Sequence, residues 1–122
     1  ELKRAYDDPL GVTAAFNKNL LGRLNRELGA NFNLAQFLHR VVWNGEASRI
    51  EMHLESVVEQ TVSIPAAELE VQFTRGESIW TESSYKYDPD GVRDLGCRAG
   101  FGRCQQWVDA NAGFAVSAFG AV

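Results

Sequence analysis

The segment Trp80-Thr81-Glu82-Ser83-Ser84-Tyr85-Lys86 holds the residue pair best suited to chemistry in this chain. Side chains alternate faces along a strand, so Glu82 and Ser84 are expected on one side, with Trp80 and Lys86 sharing it. A carboxylate accepts an N–H, and a hydroxyl two residues away donates to or accepts from a second nitrogen. Such a pair suits a ring bearing two nitrogens, and an imidazole fits that description. The same pattern also describes a solvent-facing strand side with ordinary polar residues. Taken alone, the residues favour that plainer reading. Met52 falls mid-strand on an apolar face, where a core role is the commoner one, although its soft thioether also suits the wall of a small-molecule pocket. Tyr6 stands just before a helix start. Its hydroxyl there can bind a carboxylate, although an anchoring aromatic in a packed corner is the commoner role.

Other residue types that do chemistry are present without the spacing for it. His39 and His53 match no metal pattern with cysteines or carboxylates, so structural or exposed roles and no metal site are expected. Cys97 and Cys104 stand seven apart, which fits no common metal or redox motif. Two reduced thiols in a cytoplasmic protein are expected. Gly100-Phe101-Gly102 comes after a helix, the wrong context for a dinucleotide turn. No P-loop or nucleophile elbow occurs. The chain's own residues therefore suggest neither a catalytic group nor a cofactor-binding one.

The elements that must position these residues fall into three stretches. The first is helical: Asp8-Pro9 reads as a cap and first turn, and Val12, Phe16, Leu20, Leu24 and Leu28 recur as an apolar face. Gly29 closes that helix. A shorter helix is expected after Asn33, burying Leu34, Phe37 and Leu38. The second stretch is β-structure. Ile50, Met52 and Leu54 alternate with Arg49, Glu51 and His53. The series Val58-Gln60-Val62-Ile64 and Leu69-Val71-Phe73 follow, and a turn at Arg75-Gly76-Glu77 leads into a strand from Ile79 to Tyr87. Short connections imply antiparallel pairing. The third stretch starts at Asp88-Pro89 with a helix to about Ala99. It ends in a hairpin of Phe101 to Val108 and Gly113 to Ala121 around Asp109-Ala110-Asn111-Ala112. The expected fold class is α+β.

The chain has 122 residues, 45% of them hydrophobic and 23% charged, which suits one folded domain or a piece of one. A formal net charge of −4 argues against nucleic acid as a partner, because a basic surface supplies most of that affinity. No apolar run is long enough to span a bilayer, and Glu1-Leu2-Lys3-Arg4 has no signal-peptide pattern. A start without methionine suggests a chain cut from something longer, or processed.

Four segments together resemble one family. They are Ala5-Tyr6-Asp7-Asp8-Pro9-Leu10-Gly11-Val12-Thr13-Ala14-Ala15-Phe16-Asn17, Leu24-Asn25-Arg26-Glu27-Leu28-Gly29-Ala30, Ser48-Arg49-Ile50-Glu51-Met52-His53-Leu54, and Gly76 to Tyr87. In order and spacing they are similar to the histidine-specific Nα-methyltransferases of ergothioneine biosynthesis, from Leu2 to about Phe119. The resemblance implies two parts: residues 1–86 as the main body of a substrate-binding cap domain, and residues 87–122 as the last helix and strand hairpin of a Rossmann-like domain. S-adenosylmethionine would be bound by the missing amino-terminal part, with no cofactor expected in this chain. The resemblance also assigns Glu82 and Ser84 to the imidazole of histidine, Tyr6 to the substrate carboxylate and Met52 to the ring pocket, with Phe16 as a further pocket wall. These assignments reverse the plainer reading of Glu82 and Ser84. The alternatives are a relative acting on another aromatic amino acid, or a binding or assembly module without activity. The chain alone is expected to be inactive and to self-associate through exposed strand edges.

Overall fold

The computed structural model describes residues 2–121, and the ends of the two expected parts, Glu1 and Val122, lie outside the described residues. The elements are α1 (Leu2–Tyr6), α2 (Val12–Leu28), β1 (Phe37–Asn44), β2 (Arg49–Ser56), β3 (Gln60–Ile64), β4 (Leu69–Phe73), β5 (Ser78–Tyr85), α3 (Pro89–Arg98), β6 (Arg103–Asp109) and β7 (Phe114–Gly120). The α+β class expected from the sequence is the class observed. The chain divides into two compact units, Glu1–Tyr85 and Lys86–Val122.

In the first unit, β1, β2 and β5 form an antiparallel sheet in that order, and β3 pairs with β4 beside it. The central place of β2 follows from its residues. Ile50, Met52, Leu54 and Ser56 are buried on one side, and Glu51 is buried on the other. The core joins Leu21 of α2 to Phe37, Leu54, Val62, Ile64 and Phe73 of the strands. Phe32, Phe37 and Phe73 meet edge-on or tilted, with centroids 5.4 to 6.4 Å apart. Leu21 is fully buried at this junction. We expect Leu21→Ala to destabilise the unit by about 3 kcal/mol, the usual scale for a leucine cavity, measured by denaturant unfolding.

Helix α2 departs from the expected face and the expected start. Its core-facing line is Asn17 and Leu21, both buried, with Leu24 and Leu28 partly buried, while Val12, Phe16 and Leu20 are exposed. The reason is the helical period. Each step of four residues overshoots a full turn by about 40°, so a strict every-fourth row winds off the core face. The helix begins at Val12, not at Pro9: Gly11 takes a left-handed φ of 71°, and the chain turns before the first helical residue. Asp8 still caps it, accepting Val12 N at 3.0 Å and Thr13 N at 2.8 Å. These two N–H bonds, that from Thr13 foremost, hold the Asp8 carboxyl at about 2 against an ordinary 3.8. A depressed folded-state value means that this cap stabilises above pH ~4 and is lost as pH falls through ~2. Carboxyl NMR titration of Asp8 should place its midpoint near 2, and a midpoint near 4 would contradict the cap. At the other end Gly29, φ 66°, closes the helix as expected. Asn25 then holds the loop by exchanging hydrogen bonds with both backbone groups of Phe32, at 2.8 and 2.9 Å.

The second expected helix is a correction. Asn33 does cap a turn, accepting Ala35 N at 3.1 Å, but only Leu34–Gln36 are helical before the chain extends into β1. Phe37 is buried as anticipated, but on a strand, and Leu38 is exposed. Phe37, Val41 and Trp43 alternate along β1, and cross-strand pairing with β2 outweighs the helical spacing of Leu34, Phe37 and Leu38.

In the second unit Asp88 caps α3 by accepting Gly91 N at 2.6 Å, and β6 and β7 pair antiparallel as expected. Gly96 lies under the Phe119 ring, where an added Cβ would overlap the ring carbons. We expect Gly96→Ala to destabilise this unit by about 1–3 kcal/mol through overpacking, seen as faster amide exchange in β6 and β7.

Candidate functional site

The pairing of the three-stranded sheet places the candidate residues in rows. Directly paired residues of an antiparallel ladder share a face. Trp43, Ile50 and Ser84 form one row, Val41, Met52 and Glu82 the next, and His39, Leu54 and Ile79 the third. Met52, 4% exposed, therefore lies beside Glu82, and Ile50 beside Ser84. Glu82 itself is open to solvent, and among the described residues no hydrogen bond or ion pair engages its carboxylate.

This arrangement depends on an irregularity that the sequence reading missed. The register shifts between Met52 and His53, so Met52 faces Glu82 whereas His53 faces Trp80. Thr81 is the extra residue, a β-bulge. Its hydroxyl donates to the Met52 carbonyl at 2.9 Å. Unbroken alternation would place Trp80 with Glu82 and turn Ile79 out of the core. The bulge lets Ile79, Glu82 and Ser84 share one face and sends Trp80 to the other. The expectation that Trp80 and Lys86 share the Glu82 side is thus corrected: Trp80 is on the far face, and β5 ends at Tyr85, before Lys86.

Over the Glu82–Ser84 face lies the short helix α1. The Tyr6 hydroxyl and the Ser84 hydroxyl meet at 2.7 Å, joining residues 78 positions apart. His39 stands below: its Nε2 is 2.8 Å from the Tyr6 carbonyl, and its Nδ1 is 3.0 Å from the Asn17 side-chain amide. Asn17, 4% exposed, also donates to the His53 carbonyl at 3.3 Å. The sequence reading did not single out Asn17. Its signal was a polar residue at the i−4 position of the most buried leucine of α2.

The opposite face carries a separate polar cluster. Glu51 accepts from Asn44 at 3.0 Å and from Arg49 at 2.7 Å, and it meets His53 at 3.2 Å. These bonds, that from Asn44 foremost, keep its carboxyl below the usual range despite burial. The Arg49 guanidinium lies 4.2 Å from the Trp80 ring centre and donates to the Tyr85 hydroxyl at 2.8 Å. Arg49, Glu51 and His53 thus all have partners within the sheet.

Among the described residues no group of His, Cys, Asp or Glu is placed to hold a metal ion, and no helix is long and apolar enough to cross a membrane. Both cysteines carry free thiols. The face bearing Tyr6, Met52, Glu82 and Ser84 brings together four residues that the sequence reading named. Phe16 lies outside that row on α2, 68% exposed.

A sheet face that joins an exposed carboxylate, two hydroxyls and a buried thioether has the composition of a site for a small polar molecule. The whole of residues 1–121 matches the family described as histidine-specific methyltransferase, SAM-dependent, and the chain belongs to that family. It is 45% identical over 116 residues to the histidine N-alpha-methyltransferase of Mycolicibacterium smegmatis and 44% identical over 116 residues to that of Mycobacterium tuberculosis. Each match covers 95% of this chain and 36% of the relative, so the chain spans about a third of the length of those curated proteins.

Proposed function

We propose that this chain supplies part of the amino-acid pocket of a methyltransferase acting on the α-amine of histidine, as the names of its relatives describe for them. The observation that carries the reading is the Tyr6–Ser84 contact, one row from the Met52–Glu82 pair of the same sheet face. Glu82 accepts an imidazole N–H, and Ser84 serves the second ring nitrogen. Met52 packs beside the ring, and Tyr6 donates to the substrate carboxylate. None of them exchanges a proton with the reacting amine. They fix both ends of the substrate so that the amine meets an already activated methyl group, and positioning supplies much of the rate. Phe16, exposed on α2, serves as a pocket wall completed by residues outside this chain.

S-adenosylmethionine is the methyl donor in this reading, and it supplies the electrophilic methyl group. The described residues do not fit it: the one Gly-x-Gly turn, Gly100 to Gly102, closes α3 and is followed by β6, so no strand-to-helix cradle is present. No step through the donor is therefore assigned to this chain. Residues 1–86 are the main body of the substrate-binding part, and residues 87–122 are the end of a Rossmann-like donor domain. The division at Tyr85–Lys86 supports this, as do the exposed Trp107, Phe114 and Val116 of the hairpin, which read as surface that a larger sheet would cover. The whole protein would be cytoplasmic and act in ergothioneine biosynthesis.

The test is methyl transfer by the whole protein with histidine and tryptophan offered together. Methylated histidine α-amine is expected by mass spectrometry, and methylation of the indole amino acid alone would refute the reading. The chain of 122 residues by itself should show neither methyl transfer nor donor binding by calorimetry, and it should self-associate in light scattering.

A further inference from the structure

We propose that Asn17 and His39 are positioning residues that set the place of the Tyr6 hydroxyl, and so the affinity for the substrate carboxylate, without touching substrate. The inference rests on the pocket reading above and names what holds one corner of that pocket.

The hydrogen-bond polarity can be assigned along the whole string because both ends are main-chain carbonyls, which only accept. The His53 carbonyl is 3.3 Å from Asn17 Nδ2, so the Asn17 amide presents N–H groups there, not its oxygen. The same nitrogen faces His39 Nδ1 at 3.0 Å, so Nδ1 must be the bare acceptor. Nε2 then carries the proton and donates to the Tyr6 carbonyl at 2.8 Å. His39 is thereby held as the neutral Nε2–H tautomer. A flipped Asn17 would set two oxygens against each other at His53, and the Nδ1–H tautomer of His39 would set two acceptors against each other at Tyr6.

The string ties three elements together. The central strand β2 fixes Asn17 on α2, Asn17 fixes the imidazole on β1, and the imidazole holds the end of α1 at Tyr6. Helix α1 has five residues and none of them is buried. So short a helix has little stability of its own. Its placement over Ser84 therefore depends on such ties. Burial of Asn17 at 4% exposure makes an unmade bond there costly, so the string is retained as a unit.

The experiment uses the whole protein and its histidine methylation kinetics. His39→Leu should raise KM for histidine about tenfold, with kcat and the donor KM within about twofold. His39→Gln keeps an acceptor and a donor and should restore KM to within about threefold of the parent. In a Tyr6→Phe background the His39→Leu effect should shrink to within about twofold, because the hydroxyl it positions is gone. An undiminished rise in that background would overturn the relay, as would an imidazolium or Nδ1–H tautomer of His39 in nitrogen NMR at neutral pH. If Tyr6→Phe raises KM and His39→Leu does not, the relay fails and the pocket stands. If Tyr6→Phe itself has no effect, the pocket reading fails. Should His39→Leu not fold, His39→Gln decides: a KM raised as much as by Asn17→Leu overturns the proposal.

Discussion

Glu82→Ala in the whole protein is expected to weaken histidine binding about a hundredfold, the scale of one charge-assisted hydrogen bond lost inside a pocket. The carboxylate sits at the open end of the Val41–Met52–Glu82 row, with no described partner competing for it. In the proposed pocket it accepts an imidazole N–H, so Glu82→Gln should recover only part of the loss, since an amide oxygen accepts without the charge. The loss should appear for histidine and not for the methyl donor, because the proposed site takes the far end of the amino acid. Calorimetric titration of histidine with each variant is the measurement. An affinity for histidine unchanged in Glu82→Ala would remove Glu82 from the pocket.

Deletion of Ser83 is expected to weaken histidine binding about a hundredfold or more. The bulge at Thr81 lets Ile79 lie with Leu54 while Glu82 lies with Met52, and plain alternation past Ser83 then sets Ser84 with Ile50. A one-residue slip turns every side chain of a segment to the other face. Without Ser83, Glu82 and Ser84 become adjacent and point to opposite faces, so one of them leaves the site. Deletion of Thr81 is the control. It removes the extra residue itself, so Ile79 and Glu82 become two apart, share a face by plain alternation and keep their partners on β2, and histidine binding should be retained. Thr81→Val removes the bond to the Met52 carbonyl but keeps the residue count, so it should lose about 1 kcal/mol of stability and also retain histidine binding. A Ser83 deletion that binds histidine like the parent would show that the face assignment is wrong.

The legible parts of the chain were those where local chemistry and tertiary context agree. Asp88-Pro89 before α3, Gly29 after α2 and the turn at Gly76 read correctly because cap acceptors and left-handed glycines act over a few residues. The alternation of Ile50, Met52 and Leu54 read correctly because β2 buries that whole side. Misreadings arose where spacing admits two outcomes. Leu34, Phe37 and Leu38 fit a helix, yet β1 forms because its backbone groups pair along the length of β2. The every-fourth row from Val12 to Leu28 mixed exposed and partly buried positions, and the buried Asn17 and Leu21 lie one position beyond Phe16 and Leu20 of that row.

The pair at Glu82 and Ser84 was set by sequence: two residues apart within a strand, they share a face wherever that strand lies. Tyr6, Met52, Glu82 and Ser84 were also named from the sequence, through the resemblance. The tertiary structure decided which face the pair takes, that Trp80 opposes it, and that Tyr6 and Ser84 touch across 78 positions. It also decided that Asn17 and His39 stand behind Tyr6. The physical reason is that period and capping are local properties of a chain. A bulge and a long-range hydrogen bond form only when a second strand or helix supplies the partner.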